Sequence, residues 1–423
     1  MDKDQMSIKA KPFTISKILV WKAYKLVKAN QGAAGIDNQS IAAFEERLER
    51  NLYKIWNQLS SGTYFPPAVK GVAIPKKQGG ERILGIPTVA DRIAQMTIKL
   101  AFEPIVEPIF SDNSYGYRPN KSAIDAVGIT RERCWKYNWV LEFDIRGLFD
   151  NIDHDLLMKA VKTHTDNKWI ILYIERWLKA SMQMADGTVK PRTCGTPQGG
   201  VISPVLSNLF LHYVFDMWMT RNYKNNPWCR YADDGLVHCN SEIEAQQLLH
   251  SLNQRFNECK LTLHPTKTKI IYCKDSNRKD EYSNIKFNFL GYEFIGRRSE
   301  NKATGQIFRN FGPAICPEAK KSIIATIRKL NIRNRVDLSL EQIAKEINPI
   351  LSGWINYYGK FYKTELFELL KRVNNTLAKW LRNKYIKLRY KATESLRIIG
   401  EIAEVRKRDL FVHWRFGIRM TTA

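Results

Sequence analysis

Arg230-Tyr231-Ala232-Asp233-Asp234-Gly235 sets two adjacent carboxylates beside a glycine and ahead of the apolar pair Leu236-Val237. The flanks read as short strands and Ala-Asp-Asp-Gly as the tight turn between them, because Asp and Gly supply the backbone conformations such turns need. Two carboxylates at a hairpin tip repel each other in water and make most sense facing cations. A third stands upstream in Trp139-Val140-Leu141-Glu142-Phe143-Asp144-Ile145. Alternation puts Leu141, Phe143 and Ile145 on one face of a strand and Glu142 and Asp144 on the other. If that strand lies beside the hairpin, Asp144, Asp233 and Asp234 converge on one sheet surface. Hard oxygen ligands of this kind suit Mg²⁺, which keeps waters and binds substrate phosphates. Two such ions roughly 3.5 to 4 Å apart activate a 3′-hydroxyl and stabilise a departing pyrophosphate in an in-line displacement, which is polymerase chemistry. Read alone, an Asp-Asp-Gly turn is more often a solvated hairpin tip, so the rest of the chain must supply the context.

The composition narrows the partners. With 67 Lys and Arg against 42 Asp and Glu the net charge is +25, which favours a polyanion. At 423 residues the chain can bury a large core in two or three domains. The seven cysteines form no C-x-x-C pair and the seven histidines are scattered, so neither a disulfide framework nor a zinc module is indicated and a reducing cytosol is expected. No apolar run approaches the roughly 18 residues of a membrane span, and Met1-Asp2-Lys3-Asp4-Gln5 is not a signal peptide. The expectation is a soluble intracellular protein with no membrane partner.

The elements that must position the acids follow in order. Residues 1–62 look mainly helical, with Ile18, Leu19, Trp21, Ala23 and Tyr24 as the apolar side of the first helix. The glycine-rich loop Asn30 to Asp37, which holds Gly35, either connects helices or touches a template strand. Val69 to Pro87 reads as a hairpin whose tip carries Lys76 and Lys77, and whose returning strand begins at Arg82. Cations at such a tip can fold over a triphosphate, although a solvated tip is commoner. A helix from Thr88 should use Val89, Ile93, Met96, Leu100 and Phe102 as its apolar side, with Arg92 and Gln95 elsewhere. Ser114-Tyr115-Gly116-Tyr117-Arg118-Pro119-Asn120-Lys121 interleaves aromatics with cations and fits single-strand contact by stacking and charge; packing under a loop explains its tyrosines almost as well. Asp153 is expected to cap a helix and Asp150 to be structural. Gly195-Thr196-Pro197-Gln198-Gly199-Gly200-Val201-Ile202-Ser203-Pro204 lets backbone approach a ligand, reads Ser203 as an N-cap before Pro204, and presents Gln198 to a sugar or base; a plain turn is the alternative. Glu242 to Leu261 reads as a helix behind the sheet, and Asn301 to Asn310 as a linker. Residues 311–423 carry 23 Lys and Arg against 10 Asp and Glu. There a helical stripe of Phe367, Leu370, Val373, Leu377, Trp380, Leu381, Tyr385 and Leu388 is flanked by Arg372, Lys379, Arg382, Lys384 and Lys387. Such a face is usually just solvated; concentrated beside Trp354, Tyr357 and Tyr358, it reads as a phosphate-backbone grip.

In this order, Arg82 to Gln95, Ser114 to Lys121, Phe143 to Asp155, Gly195 to Pro204, Tyr231 to Asp234 and Phe289 to Tyr292 resemble the reverse transcriptase/maturase proteins encoded by bacterial group II introns. Gly353-Trp354-Ile355-Asn356-Tyr357-Tyr358 looks like the maturase, or thumb, signature of that family, so the resemblance covers nearly the whole chain. It implies an α+β right-hand polymerase, with an antiparallel catalytic palm sheet, fingers, and an α-helical thumb. The expected domains are 1–62, an N-terminal extension with a template-contacting loop; 63–305, fingers and palm; 306–395, thumb/maturase; and 396–423, a basic segment for DNA. By position, Asp144, Asp233 and Asp234 would be the metal-binding trio, holding two Mg²⁺ or substituting Mn²⁺, with Asp234 the less direct ligand. Phe149 would clash with a ribose 2′-hydroxyl and select deoxynucleotides. Gln198 would line the incoming dNTP, and Lys76 and Arg82 would hold its triphosphate. Phe289, Leu290, Gly291 and Tyr292 would position the primer end, and the loop at Gly35 and the block at Arg118 would meet primer or template. Lys267 falls in a further family block without an assigned role. The chain shows no Cys pairs after Phe411-Val412-His413-Trp414, unlike the family's endonuclease-bearing members, and so resembles the compact lineage lacking that domain.

The implied activity is RNA-directed DNA synthesis, with binding of RNA template, intron RNA and DNA primer or target, and assistance to splicing and retrohoming. Two competing readings are an RNA-binding splicing maturase without polymerase activity, and a domesticated reverse transcriptase in defence or DNA repair. Retention of all three carboxylates and of the Gln198 loop argues against the first.

Overall fold

The computed structural model describes residues 11–75, 80–301, 303–406 and 409–418. The chain divides into two compact units, Met1–Ala126 with Leu141–Lys269, and Val127–Val140 with Ile270–Ala423.

In the first unit, Ser16 caps α1 (Lys17–Asn30) by accepting from Ile18 N, and Val20, Ala23, Tyr24 and Val27 form the buried stripe. Ile18 and Trp21, expected inside, lie on the adjacent exposed face. After α2 (Ile41–Glu45) and α3 (Leu48–Ser61), β1 (Val69–Pro75) and β2 (Glu81–Ile86) pair antiparallel, Lys70 opposite Ile86 and Pro75 opposite Glu81. Lys76 and Lys77 lie outside the described residues. Thr88 caps α4 (Val89–Val106) through Asp91 N. This helix buries Asp91, Arg92 and Gln95 beside Ile93 and Met96, so its polar residues also face inward. α5 (Ala123–Lys136) leads to β3 (Trp139–Asp144), then α6 (Leu148–Asn151). As expected, Asp153 caps α7 (His154–His164), accepting from Leu156 N. α8 (Lys168–Leu178) follows, with the two-residue strands β4 (Met182–Gln183) and β5 (Val189–Lys190) completing a sheet of order β2-β1-β4-β5. α9 (Ser203–Leu211) passes through a π-turn at 212–216 into α10 (Met217–Asn222). β6 (Trp228–Tyr231) and β7 (Asp234–Cys239) form an antiparallel hairpin, and β3 is the next strand beyond β7. α11 (Glu242–Glu258) packs on β7 and buries Ala245, Leu248, Leu252 and Phe256.

The second unit takes in 127–140 and resumes along β8 (Lys269–Tyr272). Trp135 Nε1 donates to Phe311 O at 2.8 Å, and Arg278 donates to the carbonyls of Cys134 and Tyr137. β9 (Phe287–Phe289), β10 (Tyr292–Glu300) and β11 (Ile307–Ile315) make an antiparallel sheet in the order β11-β10-β9. Segment 303–310 is therefore no linker: 303–306 lie in the turn and 307–310 open β11, so the expected 305/306 boundary falls inside a hairpin. The outer ends of those strands are solvated, with Ile307 54% exposed, so they lack the alternation that marks a half-buried strand. α12 (Pro317–Lys329), α13 (Leu340–Tyr358, with a Ser339/Gln342 capping box), α14 (Lys363–Lys384), α15 (Ala392–Glu401) and α16 (Val412–Arg415) build the helical part. Its core joins Ile343, Ile347 and Leu351 to Leu370, Val373, Leu377, Trp380, Phe411 and Trp414. α14 ends at Lys384, so Tyr385 and Leu388, read as part of its stripe, lie beyond it, and Tyr385 is exposed.

Candidate active site

Register places Tyr231 opposite Asp234, which makes Ala232-Asp233 the two-residue turn, with Ala232 in the left-handed region at φ 57°. Gly235 is thus in β7 and not in the turn. A Cβ there would stand 2.1 Å from Phe143 Cζ, so the glycine exists to let the β3 ring lie against the hairpin. Arg230 is fully buried. Its Nε and Nη2 meet the two Asp216 oxygens at 2.9 and 2.8 Å, and Nη1 donates to Asn208 Oδ1 and Ala232 O, both at 3.2 Å. Asp216 lies in the π-turn, so one guanidinium ties the Ala232-Asp233 turn to the α9/α10 helix. Nothing in the hexapeptide's local pattern distinguishes this arginine from a solvated one.

With β3 beside β7, Asp144 is buried next to the turn, and Ile145 N donates to Asp233 O at 3.4 Å. Burial, then the adjacent Asp233 and Asp144, pushes Asp234 up to about 7. Asp233 is raised mainly by burial, and Glu142 is pushed up to about 8, again chiefly by burial. Each rise measures the cost of holding negative charge in a dry site, and a cation relieves that cost. Lys267 supplies one such charge, its Nζ 3.3 Å from both Asp144 oxygens. It arrives there because residues 262–264 run alongside 144–146, with Arg146 N on Thr262 O at 2.9 Å and His264 N on Asp144 O at 2.8 Å. Among the described residues no three acidic, His or Cys side chains already stand about a common point as ligands. The donor set nonetheless fits hard divalent cations: clustered carboxylate oxygens, half neutralised by one lysine, open to a cavity.

That cavity, of about 1070 Å³, has Asp144, Asp233 and Lys267 on its floor and Arg82, Arg146, Arg192 and Gln198 on its walls. A second, of about 390 Å³, shares Arg82, Gln198 and Asp233 and adds Tyr117, Phe149, Gly199 and Gly200. The Phe149 ring meets Tyr117 edge-on at 6.3 Å, and Gln198 Nε2 donates to Asp150 Oδ2 at 3.2 Å. Ser203 does not cap α9. Ile202 occupies that position, while Ser203 Oγ donates to Pro197 O at 2.9 Å and accepts from Thr196, folding back to tie the loop. The loop is also held from α4: Gln95 Oε1 accepts from Val201 N at 2.8 Å, and Gln95 Nε2 donates to Asp91 Oδ2 at 2.9 Å. Asp91 further accepts from Tyr64 Oη at 2.7 Å and Trp177 Nε1 at 2.8 Å. The readable signal was an Asp and a Gln four residues apart in the first turns of α4.

Other expected site residues are placed differently. Arg118 is committed inward, to Glu107 at 2.8 Å and to the carbonyls of Ser111 and Ser114, so it shapes its loop and does not offer itself to a strand. Gly35 is buried, and a Cβ there would be 2.6 Å from Thr88 N; it serves packing against the α4 cap. In the second unit, Leu290 (φ 51°) and Gly291 (φ 78°) form the tip between Phe289 and Tyr292. Tyr357 Oη donates to Leu290 O at 2.7 Å and Tyr292 Oη to Tyr357 O, so the Trp354 to Tyr358 segment braces that tip. Arg372, Lys379 and Lys387 are exposed and Arg382 is partly buried. Lys384 lies over the Trp380 ring and donates to Leu338 O at 2.5 Å, which commits it to its own domain.

Residues 74–294 match the family described as reverse transcriptase (RNA-dependent DNA polymerase), and residues 320–397 the group II intron maturase-specific domain. The chain is 30% identical over 317 residues to protein YkfC of Escherichia coli (strain K12), across 66% of this chain and 80% of that protein. It is 34% identical over 197 residues to the group II intron-encoded protein LtrA of Lactococcus lactis subsp. cremoris, across 46% of this chain and 32% of LtrA. It is 27% identical over 293 residues to the putative COX1/OXI3 intron 1 protein of Saccharomyces cerevisiae, across 57% of this chain and 34% of that one. The chain therefore spans most of YkfC and about a third of the other two. It belongs to the reverse transcriptase family, in the group II intron-encoded branch that joins an RNA-directed DNA polymerase to a maturase domain. That family works with divalent metal ions and nucleic acid, and no helix among the described residues is long and apolar enough to cross a membrane.

Proposed function

We propose that Asp144 and Asp233, with Asp234 as the less direct partner, hold two Mg²⁺ ions, replaceable by Mn²⁺, and that the chain extends a DNA primer with dNTPs along an RNA template. The observation that carries this is the meeting of Asp144, Asp233, Arg82, Phe149 and Gln198 around two adjoining cavities. Bound ions would supply activation of the primer hydroxyl and charge neutralisation at the departing pyrophosphate. The chain does the rest. Arg82, with Lys76 expected beside it, neutralises the triphosphate; the Phe149 ring fills the space of a 2′-hydroxyl; Gln198, fixed by Asp150, orients the sugar or base. Lys267 pairs with Asp144 until a cation takes its place. Intron RNA is bound through the maturase domain, with Arg372, Lys379 and Lys387 as its phosphate contacts, and the DNA target along the basic C-terminal segment.

The test is primer extension on an RNA template with an annealed DNA primer, dNTPs and Mg²⁺. Asp233→Ala should lower the rate by about 10³-fold or more. Product from the variant at the wild-type rate would remove the assignment. Splicing of a cognate intron RNA at low Mg²⁺, assayed with the same two proteins, reads the maturase half separately: it should survive Asp233→Ala.

A further inference from the structure

The second unit contains a cleft of about 530 Å³ that the polymerase site does not use, lying between the end of α12, the turn at Ile332 and α14. Its floor is apolar, with Ile327 and Ile332 buried and Ile324 partly so. Its rim carries Arg328, Arg333, Arg372 and Lys379, and among the described residues no carboxylate lines it. The neighbouring acids are engaged elsewhere: Glu346 with Arg335, Glu365 with Lys320 and Glu368 with Lys371. Asn331, Asn375 and Thr376 also line it, the two asparagines at exposed positions. Asn331 Oδ1 accepts from Asn334 Nδ2 at 2.9 Å.

Four cations without an ion-pair partner among the described residues, around an apolar floor with amide groups at its exposed edge, describe a ligand that is flat, has a polar edge and is anionic on both sides. A phosphate backbone lying across a helix needs only the rim; it gives no use to three isoleucines. A duplex is too wide for a cleft of this size, which falls within the roughly 300 to 1,000 Å³ of small-ligand pockets. We propose that this cleft takes one unpaired nucleotide of RNA, its base on the isoleucine floor, its edge read by Asn331 and Asn375, and its flanking phosphates on the arginines and Lys379. Bases splayed from bulges and loops are the usual targets of sequence-specific RNA recognition, and apolar contact with edge hydrogen bonds gives the needed discrimination. The inference rests on reading α14 as an RNA-binding face, and it adds the chemical form of what is bound there.

The test uses the full-length protein and three short hairpins: RNA with a single unpaired adenosine, the same RNA fully paired, and the bulged hairpin made as DNA. Wild type should bind the bulged RNA about tenfold more tightly than the paired one. Asn375→Phe, at an exposed α14 position where a ring would fill the cleft, should abolish that preference and leave paired-RNA affinity unchanged. Arg372→Gln, which alters no volume in the core, should shrink the preference and serves if Asn375→Phe melts early. Equal affinity for bulged and paired RNA would overturn the cleft while leaving the RNA-binding face intact; loss of salt-sensitive binding to both would overturn the face itself. A preference unchanged in Asn375→Phe, or an equal one for bulged DNA, would also overturn the proposal.

Discussion

At the scale of single residues, the site depends on a few groups whose purpose is set by distant neighbours. Gly235 illustrates this. In sequence it completes Ala-Asp-Asp-Gly and reads as a turn glycine, yet its backbone is strand and its missing Cβ makes room for Phe143. Turn chemistry is local and legible; the approach of a ring from another strand is not. Gly235→Ala should therefore destabilise the protein by about 1–3 kcal/mol, as overpacking does, and a thermal melt unchanged from wild type would refute the packing role. Phe149 tests specificity at the same scale. Its ring shares a pocket with Gln198 and Arg82, so Phe149→Ala should let ribonucleotides be incorporated in primer extension; unchanged selectivity would remove the steric assignment. Arg118 shows the opposite failure of reading. Cations among tyrosines suit a nucleic acid, but the guanidinium has five donors, and its own loop supplies the acceptors.

At the scale of elements, buried strands were legible and the solvated hairpin was not. β3, β6 and β7 are buried along nearly their whole length, while the outer halves of β10 and β11 have no buried face to impose a pattern. In the helical part, α14 and α16 meet through Asn374, whose Oδ1 faces His413 Nε2 at 2.7 Å and Trp414 Nε1 at 2.8 Å. Tryptophan can only donate, and Asn374 Nδ2 donates to Ile418 O at 3.3 Å, so Oδ1 accepts from both and His413 carries its proton on Nε2. His413 Nδ1 is then buried without a partner. Burial depresses this imidazole to about 3, against about 6.5 in the unfolded chain. The unfolded state thus binds the extra proton between those values, and the stability present above pH 6.5 is lost on acidification toward pH 3. At pH 5 the loss should be about 2 kcal/mol. Urea melts at pH 7 and pH 5 should show this for wild type but not for His413→Gln; the same pH dependence in both would discard the account.

At the scale of the whole molecule, charge is the property read most directly from sequence, because a net of +25 needs no structure to act on a polyanion. Which cations act does need structure: Lys384 and Arg118 are spent internally, while Arg372, Lys379 and Lys387 are exposed. Replacing any of those three with Gln should flatten the slope of log affinity for single-stranded RNA against log salt by about 0.7 to 1. A filter-binding series across salt concentrations measures it, and an unaltered slope would exclude that residue from phosphate contact. The division into units carries a different consequence. The second unit is discontinuous: residues 127–140 belong with 270–423, and Trp135 finds its acceptor 176 residues later, at Phe311. On a ribosome adding roughly 5 to 20 residues per second, that segment waits on the order of 10 to 35 s for its partner to be made. Throughout that interval Trp135 and the unpaired end of β3 are unfinished surface, so nascent chains are most exposed to aggregation after the first unit has emerged and before the last quarter has followed.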